Sequence, residues 1–140
     1  MTIEHHRPTT TSHTALLAAG DVAAIVAFAA LGVRSHASSG GLLYILETAA
    51  PFVVSWLAIA PFVGAYRGEL LANPRALVGR TLLAWAVALF PGIALRALIR
   101  QSAFPALSFA ATTFLIIGVL LLGWRLLFAW VLGRGARHAN

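Results

Sequence analysis

The sequence predicts an all-α, polytopic membrane protein of four transmembrane helices in an up-down bundle, with both termini cytoplasmic. Three observations carry that reading. Of 140 residues, 60% are hydrophobic and only 10% charged, with a mean hydropathy of +0.87, whereas a soluble domain carries about 25% charged residues. The apolar residues fall into four runs, roughly 14–33, 42–66, 76–99 and 106–132, each near or above the ~20 residues that cross ~30 Å of hydrocarbon. The segments between the runs are short, which favours antiparallel neighbours. Lipid offers no partner to a bare amide, so such runs close their hydrogen bonds internally as helices. The alternating segments of a transmembrane barrel are absent from the sequence.

Residues 1–13 form a polar N-terminal tail, expected to be disordered, that holds His5, His6 and His13. Nothing in so polar a tail fixes a ligand geometry, so no metal is expected. In the first span Ala27-Phe28-Ala29 resembles a signal-peptide cleavage site, but Asp21 interrupts the apolar region and the span is long for one. The span is expected to be retained. Residues 34–41 read as a flexible Ser/Gly loop carrying His36, and 67–75 as a connection with an Asn-Pro turn. Pro105 is suited to starting the last helix, and 133–140 is a short basic tail. Pro51, Pro61 and Pro91 lack the amide hydrogen that would bond to Glu47, Leu57 and Val87 respectively. Pro51 lies near a helix start, whereas Pro61 and Pro91 are expected to kink spans two and three.

Charge bias sets the orientation. One side holds Arg7, Arg67, Arg75, Arg80, Arg134 and Arg137, the other Arg34, Arg96 and Arg100, so the positive-inside rule places both termini in the cytoplasm of a multi-pass cell-membrane protein. Tyr66 and Trp130 are expected at the cytoplasmic interface. Arg67, Arg75, Arg80, Arg134 and Arg137 fit as contacts to anionic headgroups of the bilayer. Despite a pI near 11.6, these residues are scattered over loop ends with no soluble face, and no nucleic-acid partner is expected.

Ionisable residues inside a span are the most informative feature, since each costs at least ~2.5–3.5 kcal/mol at the helix centre. Asp21 and Arg125 lie at matching depths, about 10 Å from the cytoplasmic ends of spans one and four, and are candidates to pair. Glu47 and Arg96 share a depth at the outer ends of spans two and three. They either pair, or Arg96 snorkels to the interface while Glu47 caps its helix. For both pairs the roles open are fixing helix register and transport. Small residues recur every four positions, as Ala15, Ala19, Ala23 and Ala27 in span one and as Ala84, Ala88 and Gly92 ahead of Arg96 in span three. Such stripes allow close helix approach in the bundle or in an oligomer.

No motif for a phosphate loop, dinucleotide fold, catalytic triad or helical zinc site is present in the sequence. Ser55 has no membrane-embedded histidine to activate it. An enzyme is not expected, nor is a cofactor.

The order of elements resembles a family of small prokaryotic membrane proteins classed as a domain of unknown function, from actinobacteria and haloarchaea. The matching pieces are Gly20-Asp21, Phe28, Gly32 and His36; Ala50-Pro51-Phe52, Trp56, Pro61 and Gly64-Ala65-Tyr66; then Trp85, Arg96-Ala97, Phe109 and Trp124-Arg125. The resemblance implies a four-helix membrane protein without an assigned activity, cofactor or partner, and singles out Asp21, Arg96 and Arg125. The function expected is that of a structural or accessory membrane subunit, as a homo-oligomer or within a larger complex. The alternatives are a small proton, ion or solute transporter using Asp21, Glu47, Arg96 and Arg125, and a protein that binds an anionic lipid or lipid carrier.

Overall fold

A computed structural model describes residues 10–35 and 41–138. Four helices follow in order: α1 (Thr10–Ser35), α2 (Leu42–Ile59), α3 (Pro74–Ile99) and α4 (Leu107–His138), with a short 3-10 helix at Gly68–Ala72 between α2 and α3. All four are long and apolar enough to cross a membrane, and no strand occurs among the described residues. Hydropathy marks the apolar stretch but not the polar turns that continue a helix beyond it. Residues 10–13 of the expected tail are therefore helical, and α4 runs past 132. Residues 1–9, with His5, His6 and Arg7, and 36–40, with His36, lie outside the described residues.

The second helix corrects the sequence reading most. It ends at Ile59 rather than 66, and Pro61 terminates it instead of kinking it. Having no N–H to give, Pro61 breaks the ladder, and the chain closes one further turn with a Schellman motif. Gly64 N donates to Pro61 O (3.0 Å) and Ala65 N to Ala60 O (2.9 Å). Gly64 carries the left-handed φ of 76° that this closure needs. Pro51, in contrast, is an interior residue of α2, well past the first turn.

The third helix starts on an Asn-Pro signal. Asn73 Oδ1 accepts from Ala76 N (3.2 Å), and Pro74 occupies the first turn, where its missing N–H costs nothing. Pro91 sits within a continuous α3. The adjacent Ala88 carbonyl accepts from the Ser55 hydroxyl of α2, which gives that serine a packing role. After Ile99 the chain closes as it did after α2, with Ser102 N bonded to Ala97 O at 3.1 Å. The left-handed position there belongs to Gln101 (φ 46°) instead of a glycine.

The helices form a ring in which α1 packs on α2 and α4, and α3 on the same two. The core is aromatic and aliphatic. Phe52 and Trp56 of α2 stand edge-on to Trp85 of α3, each pair with centroids 6.3 Å apart, and Ile25, Ile117 and Leu121 fill the space beside them. The indoles also tie helices together: Trp85 Nε1 donates to Phe114 O and Trp124 Nε1 to Leu17 O, both at 3.1 Å. Ala84, Ala88 and Gly92 are buried within the ring. On α1 the buried stripe is Leu17, Asp21, Ile25, Ala29 and Val33, while Ala15, Ala19, Ala23 and Ala27 face outward. The two stripes are offset by two residues, about 200° around the helix. The outer surface is apolar, with Phe62, Phe90 and Leu107 more than two-thirds exposed, as lipid contact requires.

Candidate functional site

The ring closes on one polar cluster near the end that holds both termini. Asp21 and Arg125 are each fully buried, and Arg125 Nη2 lies 2.7 Å from Asp21 Oδ2. Nε donates in parallel to Oδ1 at 2.9 Å, so the planar guanidinium meets the carboxylate edge to edge, the strongest geometry for such a pair. The rest of the guanidinium is also engaged. Nη1 donates to Ala65 O (2.8 Å) and reaches Thr81 Oγ1 (3.4 Å), and its carbon lies 5.1 and 4.9 Å from the Trp56 and Tyr66 ring centres. Asp21 Oδ2 further accepts from the Tyr66 hydroxyl (2.7 Å) and Trp56 Nε1 (3.1 Å). Burial, and then the neighbouring carboxylate, push the Tyr66 phenol above its usual range, so it stays protonated and donates.

Every helix supplies a part: Asp21 from α1, Trp56 from α2, Thr81 from α3 and Arg125 from α4. Local sequence positions these groups. The Pro61 break and the Gly64 turn bring the chain back over the cluster, presenting the Ala65 carbonyl to Arg125 and the Tyr66 hydroxyl to Asp21. Next to the ion pair Gly20 faces Trp124, and a Cβ on Gly20 would overlap the indole. Gly20-Asp21 and Trp124-Arg125 thus meet as matched doublets, one packing and one charged. Arg80 belongs to the same end, donating from Nη1 to Val63 O at 3.1 Å.

At the opposite end Glu47 and Arg96 are not brought together. Glu47 is exposed, and among the described residues Asp21–Arg125 is the one ion pair. Helical phase explains it: Tyr44, Thr48 and Phe52 form the face of α2 that lines the interior, and Glu47 is about 100° away from Thr48. The cross-link here is made by Arg100, which donates to Tyr44 Oη and Thr48 Oγ1, each at 3.2 Å. Arg96 lies with its guanidinium carbon 5.1 Å from the Phe109 ring centre, and its Nη1 is buried without a hydrogen-bond partner among the described residues.

Residues 18–128 match the sequence family described as protein of unknown function (DUF3054). The chain belongs to that family. The matched stretch takes in every member of the buried cluster as well as Arg96. No curated protein and no solved structure matches the chain.

The remaining sequence-predicted residues of this DUF3054 chain stand apart from the cluster. Arg75 is exposed on the first turn of α3, Arg67 folds against Gly64, and Arg134 covers the Trp130 ring at 3.7 Å. The side chain of Arg137 lies outside the described residues. His13 packs edge-on to Phe128, with centroids 6.4 Å apart. Tyr66, expected at the cytoplasmic interface, lies beyond the end of α2 and turns its hydroxyl inward to Asp21. The sequence reading missed Trp56, Tyr66, Ala65 and Thr81 as partners of the ion pair. One signal did exist: a tryptophan or tyrosine inside a span must satisfy its N–H or O–H, and an unpaired aspartate is the obvious acceptor.

Proposed function

We propose that the protein is a non-catalytic structural or accessory subunit of the cytoplasmic membrane, acting as a homo-oligomer or inside a larger membrane complex. The observation that carries this reading is the saturation of the Asp21–Arg125 cluster. Both charges are neutralised by each other, and their remaining hydrogen-bonding capacity is directed at groups of the same chain. A carboxylate that shuttles ions or protons needs a free lone pair and access to water; this one is committed to four donors and fully buried. The cluster therefore serves to fix the register of four helices, and the same observation weighs against Asp21 and Arg125 as a conducting path.

The outward stripe of Ala15, Ala19, Ala23 and Ala27 supports helix association beyond the monomer, because small residues let backbones approach closely in lipid. The arginine bias supports placing both termini in the cytoplasm, with Arg67, Arg75, Arg134 and Arg137 near headgroups. The chain has no cysteine, so single substitutions report cleanly. Ala23→Cys in native membranes is expected to give a disulfide-linked dimer under mild oxidation, whereas Leu115→Cys on the outer face of α4 is not. A strictly monomeric mass after gentle extraction, with no Ala23→Cys cross-link, would overturn the homo-oligomer. If no other protein is retained either, the subunit reading falls as well.

A further inference from the structure

A cavity of about 610 Å³ opens between the outer halves of the helices, at the end away from the ion pair. Its walls include Phe28 and Gly32 of α1, Phe52 of α2, and Phe109 and Ile116 of α4. The volume falls within the range of sites that hold small organic ligands, about 300–1,000 Å³. The space is elongated: along α2 its wall runs from Tyr44 to Phe52, about 12 Å at the helical rise. It is also polarised. Arg96 lies near the end of α3 and Tyr44 near the start of α2, so the charged and hydroxyl groups gather at the mouth. Phe28, Phe52 and Ile116 lie deeper.

Two buried polar atoms lack hydrogen-bond partners among the described residues, Arg96 Nη1 and Thr113 Oγ1, and both residues line this cavity. An orphaned guanidinium N–H is the costlier of the two, since a buried charge is normally paired. Of the other cations at this end, Arg100 is already engaged with Tyr44 and Thr48 and Arg34 is exposed at the end of α1, outside the cavity wall, while Glu47 faces away. Arg96, stacked on Phe109, therefore brings an unused N–H to the wall of an apolar slot, and Thr113 an unused hydroxyl from the neighbouring helix.

We infer that this cavity binds a single-chain carboxylate amphiphile, a long-chain fatty acid, with its carboxylate on Arg96 and Thr113, the adjoining part of its hydrocarbon against Phe28, Phe52 and Ile116, and the rest of the chain continuing into the bilayer. A planar carboxylate matches one guanidinium in charge and shape. A phosphate monoester carries about 1.5–2 charges and asks for more donors than remain. The chain would enter sideways from the bilayer, which already presents amphiphiles head outward at this depth.

The test uses the full-length protein in a detergent that carries no carboxylate, with palmitate as probe and native mass spectrometry plus thermal denaturation as readouts. Palmitate is expected to be retained one to one and to raise the unfolding temperature. Hexadecanol, of equal length and uncharged, should bind at least tenfold more weakly. Arg96→Gln should abolish that preference, and Thr113→Val should weaken palmitate a few-fold. Gly32→Leu adds a side chain on the cavity wall, where nothing lies within 4 Å of a Cβ, and should block binding. Unfolding temperatures of the ligand-free variants identify any that fail to fold. Equal retention of palmitate and hexadecanol, or palmitate binding unchanged by both Arg96→Gln and Gly32→Leu, would overturn the site. Tighter retention of a lysophosphatidate of the same chain length would overturn the carboxylate assignment.

Discussion

Two arginines in this bundle live under opposite conditions. Arg125 is fully buried, faces a carboxylate and spends its guanidinium on neighbours from three other parts of the chain. Arg96 is half-buried and, among the described residues, has no acidic partner and a buried N–H without a hydrogen-bond partner. The first is a finished interaction and the second an unfinished one. Arg125 directs its guanidinium at groups of its own fold, which agrees with the structural role proposed above. Arg96 instead has an unused N–H beside an apolar cavity, and an unpaired buried donor of a charged group is costly. Depth does not separate the two ends; saturation does.

The contrast can be broken most sharply from the saturated side. Arg125→Ala leaves Asp21 buried and uncompensated, and stability should fall by about 3–5 kcal/mol. Exchanging both Asp21 and Arg125 for apolar residues of similar volume should cost less than the two single changes added together. Chemical denaturation in mixed micelles checks both; additive losses would mean that the charges do not act as a pair. A smaller effect is expected at Gly20→Ala, where the new methyl displaces Trp124 and loosens its bond to Leu17 O. Overpacking of this kind costs about 1–3 kcal/mol, and tryptophan fluorescence should shift because the indole moves. The smallest effect belongs to the unsatisfied end: Arg96→Gln should change ligand-free stability by less than about 1 kcal/mol. A loss there as large as that of Arg125→Ala would erase the distinction between the two ends.

The four helices were legible because membrane solvation imposes a coarse, one-dimensional rule of length and hydropathy. Asp21 and Arg125 were legible for the same reason, since charges at matching depth on elements that neighbour in a ring have few other places to go. Legibility failed where the answer depended on rotation about a helix axis. Glu47 and Arg96 match in depth as well as the first pair does, yet Glu47 points outward. Phase relative to a neighbour is a property of packing, and hydropathy along one chain contains little of it. The end of α2 was misplaced because residues 60–66 are as apolar as a helix, and only Pro61 with Gly64 marks the break. The cavity was invisible to sequence, being defined by where side chains are missing.

The ion pair joins residues 104 positions apart, on the first helix and the last. During synthesis Asp21 enters the bilayer long before Arg125 has been made. In that interval the donors available to it are Trp56 and Tyr66, which arrive with the second helix and the turn after it. They hydrogen-bond the carboxylate but cannot neutralise it. An unfinished or truncated chain therefore holds Asp21 in the bilayer without the arginine that pairs it, at a cost of at least ~2.5–3.5 kcal/mol if it stays charged, until the fourth helix docks. The contact between the first helix and the last is thus one that only a chain with all four helices can make.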